Sequence, residues 1–455
     1  MSVQAILLAA GRGARMRPFH LARPKALLPI LGRPLLEWTR DHLAEAGVSE
    51  LFLVASPEFA PMLRGYAPPE RVAADAGGLG TAASAWAGVE RFAKDDAPIL
   101  VLEGDVWIDP ADLASMIRAY RGEDAVVLLD PLAGEPPQNW IVAECEESRV
   151  LRFLGHPREG GWRVSGAYLL SPRALRELAG ARHFGVRVPV GGMPHREYDL
   201  AEALNDFLER GGEVAARRAE HPVWNLDKPW HLYQANLSIA QAWARKADSG
   251  LPAEARIDGS AQIEGSVQLG PGSYVGRGVI IRGAVRAGAR TVIDSGAILQ
   301  GTVWLGDDVR VDEYAKVSNS VIGNRCLVSH TAEMIGGVLM DGVALAHYCE
   351  VYGILGEAVD IGAGTVFGTL RFDDGRTAHR VRGRWETPAA GANASYVGDH
   401  ARTGVNVTVL PGKTIGSYSA VGPGVVVDTD IDDFQLVTVK QTWETRKWGP
   451  ERYDW

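Results

Sequence analysis

Hydrophobic and polar positions follow two different patterns along this chain. In the first half, short continuous apolar runs at residues 3–8, 51–54 and 99–102 predict buried parallel strands, and residues 34–46 carry apolar side chains at helical spacing. Strands that alternate with helices predict a doubly wound α/β sheet. Ligands bind such sheets at the carboxyl ends of the strands, so we expect the chemistry of this half there.

In the second half, aliphatic residues recur at every sixth position. This period fits neither an α-helix nor one long strand, but it is typical of a solenoid in which every sixth side chain points inward and stacks on its equivalent in the next coil. The series changes register twice and contains Ile257, Ile263, Leu269, Val275, Ile281, Ala287, Ile293, Leu299, Leu305, Val311 and Val317, then Cys349, Leu355, Ile361 and Phe367, then Val397, Thr403, Val409, Ile415, Val421 and Val427.

The density of glycine rises after residue 258, which indicates a domain boundary near residue 248. We predict one domain at residues 1–247, the solenoid at 251–435 and an aromatic C-terminal tail at 436–455. Residues 373–393 interrupt the repeat and are locally basic. They predict a loop at one corner, either a solvated hairpin or a contact with a neighbouring subunit or with the phosphates of an acyl-CoA. The tail is rich in tryptophan and tyrosine, which indicates docking on the solenoid or on a partner chain.

Composition narrows the classes of protein without selecting one. The 455 residues are 46% apolar and 23% charged, as in an ordinary globular protein. A net charge of −9 argues against general nucleic-acid binding. Apolar runs stay below transmembrane length and the first residues lack a basic leader, so we expect no membrane partner and a cytoplasmic location. Three well-separated cysteines suit a reducing compartment.

A glycine-rich stretch follows the first apolar run and predicts a phosphate site. It places Gly11 and Gly13 where backbone N–H groups can approach phosphate oxygens closely. Arg15 and, further on, Lys25 supply the cations that a polyphosphate needs. Since the whole chain is acidic, these cations act locally.

This stretch resembles the nucleotide-binding motif of the sugar-1-phosphate nucleotidylyltransferases, which join a sugar phosphate to a nucleoside triphosphate and release pyrophosphate. Further segments resemble that family in the same order, and together they span most of residues 1–240. They are Gly78-Leu79-Gly80-Thr81-Ala82, Glu103-Gly104-Asp105-Val106, Glu197-Tyr198-Asp199-Leu200 and Trp224-Asn225-Leu226-Asp227-Lys228-Pro229-Trp230.

The resemblance implies a role for each matching position. Arg15 would bind the β- and γ-phosphates, Lys25 the α-phosphate or the sugar phosphate, and Asp105 a Mg²⁺ ion. Asn225 would complete the metal site, with Asp227 as the alternative because both lie on one face of an extended strand. The remaining candidates are Ala10, Gly11, Gly13, Gly80 and Thr81 for the nucleotide, and Gly166 and Glu197 for the sugar. A glutamine typical of pyrimidine-specific relatives is absent before Gly80, so the sequence does not determine which nucleobase the site binds.

The six-residue repeat resembles the left-handed parallel β-helix of hexapeptide-repeat acyltransferases, which implies a homotrimer or a multiple of it. The two halves together resemble bifunctional N-acetylglucosamine-1-phosphate uridylyltransferase/glucosamine-1-phosphate acetyltransferases, especially their thermophile-type branch. In those enzymes the β-helix acetylates an amino-sugar phosphate with acetyl-CoA. The segment Ile361-Gly362-Ala363-Gly364-Thr365 and the candidate base His347 carry this part of the resemblance, with His330 and His400 as weaker candidates.

The sequence therefore predicts a Rossmann-like, doubly wound nucleotidyltransferase domain followed by a left-handed parallel β-helix. Three functions remain open. The first is a Mg²⁺-dependent sugar-1-phosphate nucleotidylyltransferase whose β-helix only oligomerises the enzyme. The second adds N-acetylation by the β-helix, although the residues after His347 depart from the family pattern. The third is a non-catalytic regulatory subunit, which the retention of Arg15, Lys25 and Asp105 disfavours.

Overall fold

The computed structural model of the protein describes residues 3–48, 50–75, 80–93, 97–132, 135–178, 198–246, 250, 252, 254–446 and 448–449. Within these ranges the strands of the first half are β1 (Gln4–Ala9), β2 (Pro29–Ile30), β3 (Arg33–Pro34), β4 (Glu50–Ala55), β5 (Val72–Ala74), β6 (Ile99–Glu103), β7 (Val106–Trp107), β8 (Ala125–Pro131), β9 (Ile141–Glu146), β10 (Arg149–Gly155), β11 (Trp162–Leu170), β12 (Val214–Arg218) and β13 (Trp224–Asn225). The helices are α1 (Leu35–Glu45), α2 (Ala60–Leu63), α3 (Thr81–Phe92), α4 (Pro110–Ala119), α5 (Pro172–Leu178), α6 (Leu200–Glu209) and α7 (Pro229–Ala244).

The first half folds around a nine-stranded sheet with the order β5-β4-β1-β6-β11-β8-β12-β10-β9. Strands β5, β4, β1 and β6 run parallel, and β11 runs antiparallel to its neighbours β6 and β8. Successive side chains of β1 point to opposite faces. Ile6 and Leu8 pack in one core with α3 and α6, whereas Ala5 and Leu7 pack in the other with α1 and α4. The predicted α/β sheet with two apolar faces is confirmed.

The carboxyl ends of β1 and β6 meet at one point. Leu8 pairs with Glu103, and the Gly104 N–H donates to the Leu8 carbonyl at 2.8 Å. A Cβ at Gly104 would lie 2.6 Å from that carbonyl oxygen, so only glycine allows the two strand ends to approach this closely. The glycine loop after β1 and Asp105 after β6 are therefore neighbours.

The second half is a parallel β-helix, as the period predicts, with one two-stranded antiparallel hairpin inserted in it. Its strands are β14 (Arg256–Ile257), β15 (Gln262–Leu269), β16 (Tyr274–Val275), β17 (Ile280–Ala287), β18 (Val292–Ile293), β19 (Ile298–Leu305), β20 (Arg310–Val311), β21 (Lys316–Ile322), β22 (Leu327–Val328), β23 (Glu333–Leu339), β24 (Ala344–Leu345), β25 (Glu350–Leu355), β26 (Asp360–Ile361), β27 (Val366–Phe367), β28 (His379–Val381), β29 (Arg384–Glu386), β30 (Ser395–Val397), β31 (Arg402–Thr403), β32 (Thr408–Val409), β33 (Thr414–Ile415), β34 (Ala420–Val421), β35 (Val426–Val427) and β36 (Leu436–Val437).

The long strands of this left-handed β-helix turn a corner at glycine. Gly283, in the middle of β17, has a φ of 130°, and a Cβ there would lie 2.2 Å from the carbonyl oxygen of Gly301 in the next coil. A side chain at this corner would both strain the backbone and push the coils apart. Aliphatic side chains from every coil fill one continuous core, including Val275, Leu299 and Ile361.

Coil length explains the changes of register in the sequence. Tyr274 pairs with Val292 and Val292 with Arg310, which gives coils of 18 residues. Leu327 pairs with Ala344 and Ala344 with Asp360, which gives coils of 17 and 16 residues. A shortened coil keeps the inward stacking in space but breaks the six-residue count in the sequence.

Cys349 and Ile263 differ from the other residues of the predicted series. Cys349 lies in the continuous core, but Val351, which pairs with Met334, occupies the strand position of this coil. Cys349 is buried at the turn before β25, one coil beyond Ala332. Ile263 remains 38% exposed, so it does not belong to the closed core.

The two halves share a hydrophobic core. One cluster joins Met16 and Phe19, which follow the glycine loop, Trp230 at the start of α7, and Val338 and Tyr396 of the β-helix. Helix α7 contacts β19, β21, β23 and β25 along the β-helix. The nucleotidyltransferase-like domain is therefore packed lengthwise on the side of the solenoid.

The segment 373–393 contains the hairpin β28–β29, in which Arg380 pairs with Trp385. One side of the hairpin contacts the first domain of the same chain, since Gln234 donates to the Ala390 carbonyl and the ring of Trp230 lies 5.8 Å from that of His379. The hairpin thus lies in the angle between the two domains, while Arg380, Arg384 and Trp385 on it remain exposed.

In the tail, Trp443 is 81% exposed and does not dock on the solenoid of this chain, whereas Tyr453 and Trp455 lie outside the described residues. Each helix in the described part of the chain is too short or too polar to span a membrane.

Candidate active site

The glycine loop forms a tight turn directly after β1. Gly13 has a φ of 62°, and its carbonyl accepts a hydrogen bond from the Met16 N–H at 2.7 Å, which closes a 3₁₀ turn at Ala14–Met16. Ala10 is buried, whereas Gly11 is exposed. A Cβ at Gly13 would lie 3.2 Å from Lys25 Cγ, so the loop and the lysine are in contact.

The charged centre of the site is Lys25, which lies between two carboxylates. Its Nζ donates to Asp105 Oδ2 at 2.7 Å and to Asp227 Oδ1 at 3.3 Å. Arg15 Nε forms an ion pair with the same Asp227 oxygen at 2.9 Å, and its side chain remains 44% exposed.

The electrostatics keep this centre ionised. Burial alone would lower the pKa of Lys25, but Asp105 and Asp227 outweigh burial and leave that pKa raised. Burial would likewise raise the pKa of Asp227, but Lys25 and Arg15 outweigh it and leave that pKa lowered. Lys25 and Asp227 are therefore both charged at neutral pH.

Asp105 and Asn225 are held at the ends of paired strands. Asn225 pairs with Val106, and the Leu226 N–H donates to the Asp105 carbonyl at 2.8 Å. A carboxylate and an amide oxygen are the hard ligands that Mg²⁺ prefers, and Asp227 adds a second carboxylate beside them. Both carboxylates also pair with Lys25, so a bound metal ion would share them with this lysine. This donor set fits a divalent metal ion.

Gly80 and Thr81 begin α3 and connect it to α6. Gly80 has a φ of 100°, and a Cβ there would lie 2.3 Å from the Tyr198 carbonyl oxygen. Thr81 Oγ1 accepts from the Leu200 N–H at 2.8 Å. The structure therefore uses these two residues to join the helices on that side of the sheet. Gly78 and Leu79 of the same motif lie outside the described residues.

Gly166, in β11, lies against the end of β6. Its φ is 76°, and a Cβ there would approach both Glu103 Oε2 and Val106 Cγ2 to 3.0 Å. Glu103 Oε1 accepts a hydrogen bond from the Tyr168 hydroxyl at 3.4 Å. Burial, together with the nearby Asp105 and Asp199, raises the pKa of Glu103 to about 8. Glu197, the other predicted sugar ligand, lies outside the described residues.

His347 lies apart from this centre, on an exposed corner of the β-helix. Its ring is 5.1 Å from that of Tyr348, which in turn is 6.2 Å from His330. Within the described part of the chain the His347 ring nitrogens have no hydrogen-bond partner. The Gly364 N–H donates to the His347 carbonyl at 3.1 Å, so the predicted acetyl-transfer residues are neighbours on adjacent coils.

Sequence reasoning did not single out Glu103 and ranked Asp227 below Asn225. Strand alternation does not relate these residues, because β6 ends at Glu103 with Asp105 in the turn after it, and the chain turns after Asn225, whose carbonyl accepts from the Asp227 N–H at 3.0 Å. The contact with Lys25 depends on the folded sheet.

Comparisons with known proteins agree with this geometry. Residues 5–184 match the MobA-like NTP transferase domain. A bifunctional sugar-1-phosphate nucleotidylyltransferase/acetyltransferase of Sulfurisphaera tokodaii is 23% identical over 439 residues, which cover 94% of this chain and 98% of that protein. A bifunctional protein GlmU of Methanococcus maripaludis is 28% identical over 446 residues, which cover 96% of this chain and 98% of that protein.

A shorter match joins the chain to a CMP-5'-(3-aminopropyl)phosphonate synthase of Streptomyces rubellomurinus, at 31% identity over 261 residues that cover 52% of this chain and 39% of that protein. Residues 5–184 are thus similar to an NTP transferase domain. Over nearly its whole length it resembles bifunctional sugar-1-phosphate nucleotidylyltransferase/acetyltransferases, as the sequence motifs predict.

Proposed function

We propose that the protein is a Mg²⁺-dependent sugar-1-phosphate nucleotidylyltransferase that forms a nucleoside-diphosphate sugar and pyrophosphate. The observation that carries the proposal is the contact of Lys25 with both Asp105 and Asp227, beside the glycine loop and Arg15. The full-length relative from Sulfurisphaera tokodaii supports it because its name gives sugar-1-phosphate nucleotidylyltransferase as one of two activities.

The reaction brings two anions together. A phosphate oxygen of the sugar phosphate attacks the α-phosphorus of the nucleotide, the bond from that phosphorus to the bridging oxygen breaks, and pyrophosphate leaves. No protein nucleophile is needed, so catalysis rests on positioning and on charge neutralisation. Bound Mg²⁺ would supply further neutralisation of the phosphate oxygens.

Each residue of the centre has a physical task in this reaction. The Gly11–Gly13 backbone can approach the phosphates closely, and Arg15 is exposed enough to reach the leaving pyrophosphate. Lys25 holds its proton firmly and remains a cation beside the α-phosphate. Asp105 and Asn225 would hold the metal, and Asp227 orients Lys25 and Arg15.

Gly166 and Glu103 form one wall of the same strand end, where Gly166 leaves room beside the Glu103 carboxyl group. That carboxyl group accepts a hydrogen bond from the Tyr168 hydroxyl and can accept another from a sugar hydroxyl. We assign the sugar side of the site to this wall, together with Glu197.

The test is pyrophosphate release from a matrix of nucleoside triphosphates and sugar-1-phosphates. We expect at least one pair to react in the presence of Mg²⁺, and Lys25→Met and Asp105→Asn each to lose about 100-fold or more in kcat. Lys316→Met removes a surface lysine paired with Glu333 and should keep wild-type activity. Folded wild-type protein that reacts with no pair would contradict the proposal.

A second activity, N-acetylation of an amino-sugar phosphate by acetyl-CoA, is favoured by the full-length similarity to two proteins named as bifunctional. His347 is exposed at the corner that Gly364 contacts, so it could accept the amine proton. Free thiol released from acetyl-CoA should appear with an amino-sugar phosphate and fall at least tenfold in His347→Ala. An unchanged rate in the variant would rule out His347 as the base. The alternative is that the β-helix only oligomerises the enzyme.

We also propose a homotrimer or a multiple of it, and a cytoplasmic location. Cys145, Cys326 and Cys349 are all free thiols, which suits a reducing compartment.

A further inference from the structure

The segment that connects Arg15 to Lys25 lies on the β-helix rather than on its own domain alone. Ser417 Oγ donates to the Pro18 carbonyl at 2.6 Å, and Arg17 pairs with Asp432 at 2.6 Å. Phe19 is 1% exposed within the core shared with the β-helix. A segment between two catalytic cations is thus fixed by the other domain.

Arg23 is the main charged contact of this segment. Its Nη2 donates to Asp399 Oδ1 at 2.7 Å and to Glu357 Oε2 at 2.9 Å, and its Nη1 lies 3.2 Å from the sulfur of Met340. Arg23 is 9% exposed and Asp399 is fully buried. Hydrogen bonds between buried charges are strong and directional, so they fix the position of the chain at Arg23, two residues before Lys25.

The opposite side of the site has a second charged contact. Lys228, directly after Asp227, is 4% exposed and donates to Glu386 of the β28–β29 hairpin. Its Nζ also lies 5.4 Å above the ring of Trp230, which packs in the shared core. The hairpin therefore fixes the end of the segment that carries Asn225 and Asp227.

These contacts converge on the charged centre from two directions. Arg23 fixes the chain before Lys25, and Lys228 fixes the chain after Asp227. Lys25 Nζ and Asp227 Oδ1 are themselves 3.3 Å apart. The β-helix thus determines the distance between the two strand-end segments that would hold the phosphates and the metal.

We propose that the β-helix is a positioning element of the nucleotidyl-transfer site, acting through Arg23 and Lys228. This inference rests on the proposed nucleotidylyltransferase activity. It assigns the β-helix a role in that reaction whether or not it acetylates or oligomerises. Arg23, Asp399, Glu357, Lys228 and Glu386 are positioning residues, because they act through Lys25 and Asp227.

The test measures kcat, the KM for each substrate and the melting temperature for Arg23→Met and Glu386→Gln. A misplacement of about 1 Å at a reacting centre can cost roughly 100-fold in rate. We expect kcat to fall about 10- to 100-fold in Arg23→Met and about tenfold in Glu386→Gln, and Arg23→Lys to recover part of the loss.

Two control variants separate positioning from stability. Val275→Ala opens a cavity in the core of an early coil and should lower the melting temperature with kcat within about twofold of wild type. Asp308→Asn breaks the surface ion pair with Arg290, at 2.6 Å, and should change neither quantity appreciably.

The proposal is overturned if Arg23→Met and Glu386→Gln lose no more kcat than Val275→Ala at an equal loss of melting temperature. If Arg23→Met does not fold, the kcat of Glu386→Gln decides the question. The Glu386 side chain is 20% exposed, so this substitution should destabilise the protein less. A wild-type protein that releases no pyrophosphate with any substrate pair would instead refute the proposed function itself.

Discussion

Replacing Lys25 with methionine removes the only described cation that touches both Asp105 and Asp227. Their oxygens lie 2.7 and 3.3 Å from Nζ, so they are no more than about 6 Å from each other. At an effective dielectric constant of about 20, two negative charges at that distance repel by roughly 3 kcal/mol. We expect Lys25→Met to destabilise the catalytic domain by about this amount at pH 7.5, and a divalent cation to offset the loss.

Differential scanning fluorimetry with and without Mg²⁺ measures both effects. For a domain of about this size, 3 kcal/mol lowers the melting temperature by roughly 6–12 °C. The rise in melting temperature on adding Mg²⁺ should be larger for Lys25→Met than for wild type, because the metal replaces the missing charge. The double variant Lys25→Met/Asp227→Asn should regain most of the stability, since it removes one of the two repelling charges. Equal melting temperatures for wild type and Lys25→Met, or an equal Mg²⁺ response, would refute this account of the centre.

Two further predictions address the sugar side and the acid stability of the site. Gly166→Ala forces an alanine into a left-handed conformation and places its Cβ 3.0 Å from Glu103, so the KM for the sugar phosphate should rise several-fold while the KM for the nucleotide changes less. Steady-state kinetics with each substrate varied in turn measures both values. Equal changes in the two KM values would contradict this prediction. Burial lowers the pKa of His231 to about 3, so the unfolded chain binds the extra proton below about pH 6.5 and wild-type stability falls as the pH drops. As the pH falls from 7.5 to 5, the free energy of unfolding of His231→Phe should therefore rise by about 2 kcal/mol relative to that of wild type, measured by thermal melts at each pH. A difference in stability between the two proteins that does not change with pH would show that His231 is not the acid-sensitive group.

The local features of the fold could be predicted from the sequence because each depends on neighbouring residues. The apolar run at Gln4–Ala9 forms a central strand, and the glycine loop after it lies beside Asp105, where parallel strands end. The six-residue period correctly indicates inward-pointing side chains such as Val311 and Leu355. Both patterns are short-range consequences of strand and coil geometry.

The remaining features depend on contacts between distant parts of the chain. The contact of Arg23 with Asp399 joins residues 376 positions apart, and no local pattern marks either residue as a partner. The same holds for Lys228 and the hairpin residue Glu386, at a separation of 158. The shortened coils around Cys349 are equally hidden, because a deletion at a corner leaves the stacking intact while it shifts the count along the sequence.

Residues 17–32 cross several coils of the solenoid, and this restricts where coils can be added or lost during evolution. Arg17 meets Asp432, Arg23 meets Asp399, and Asn324 donates to the Gly32 carbonyl at 3.3 Å, so one segment spans several coils. Each added coil lengthens a β-helix by about 4.8 Å, which exceeds the reach of a hydrogen bond. Duplication of a repeat, the usual route by which solenoids grow, would separate these contacts if it fell between Asn324 and Asp432. Descendants of this chain should therefore gain or lose coils near β14–β17, ahead of the contacts made by α7.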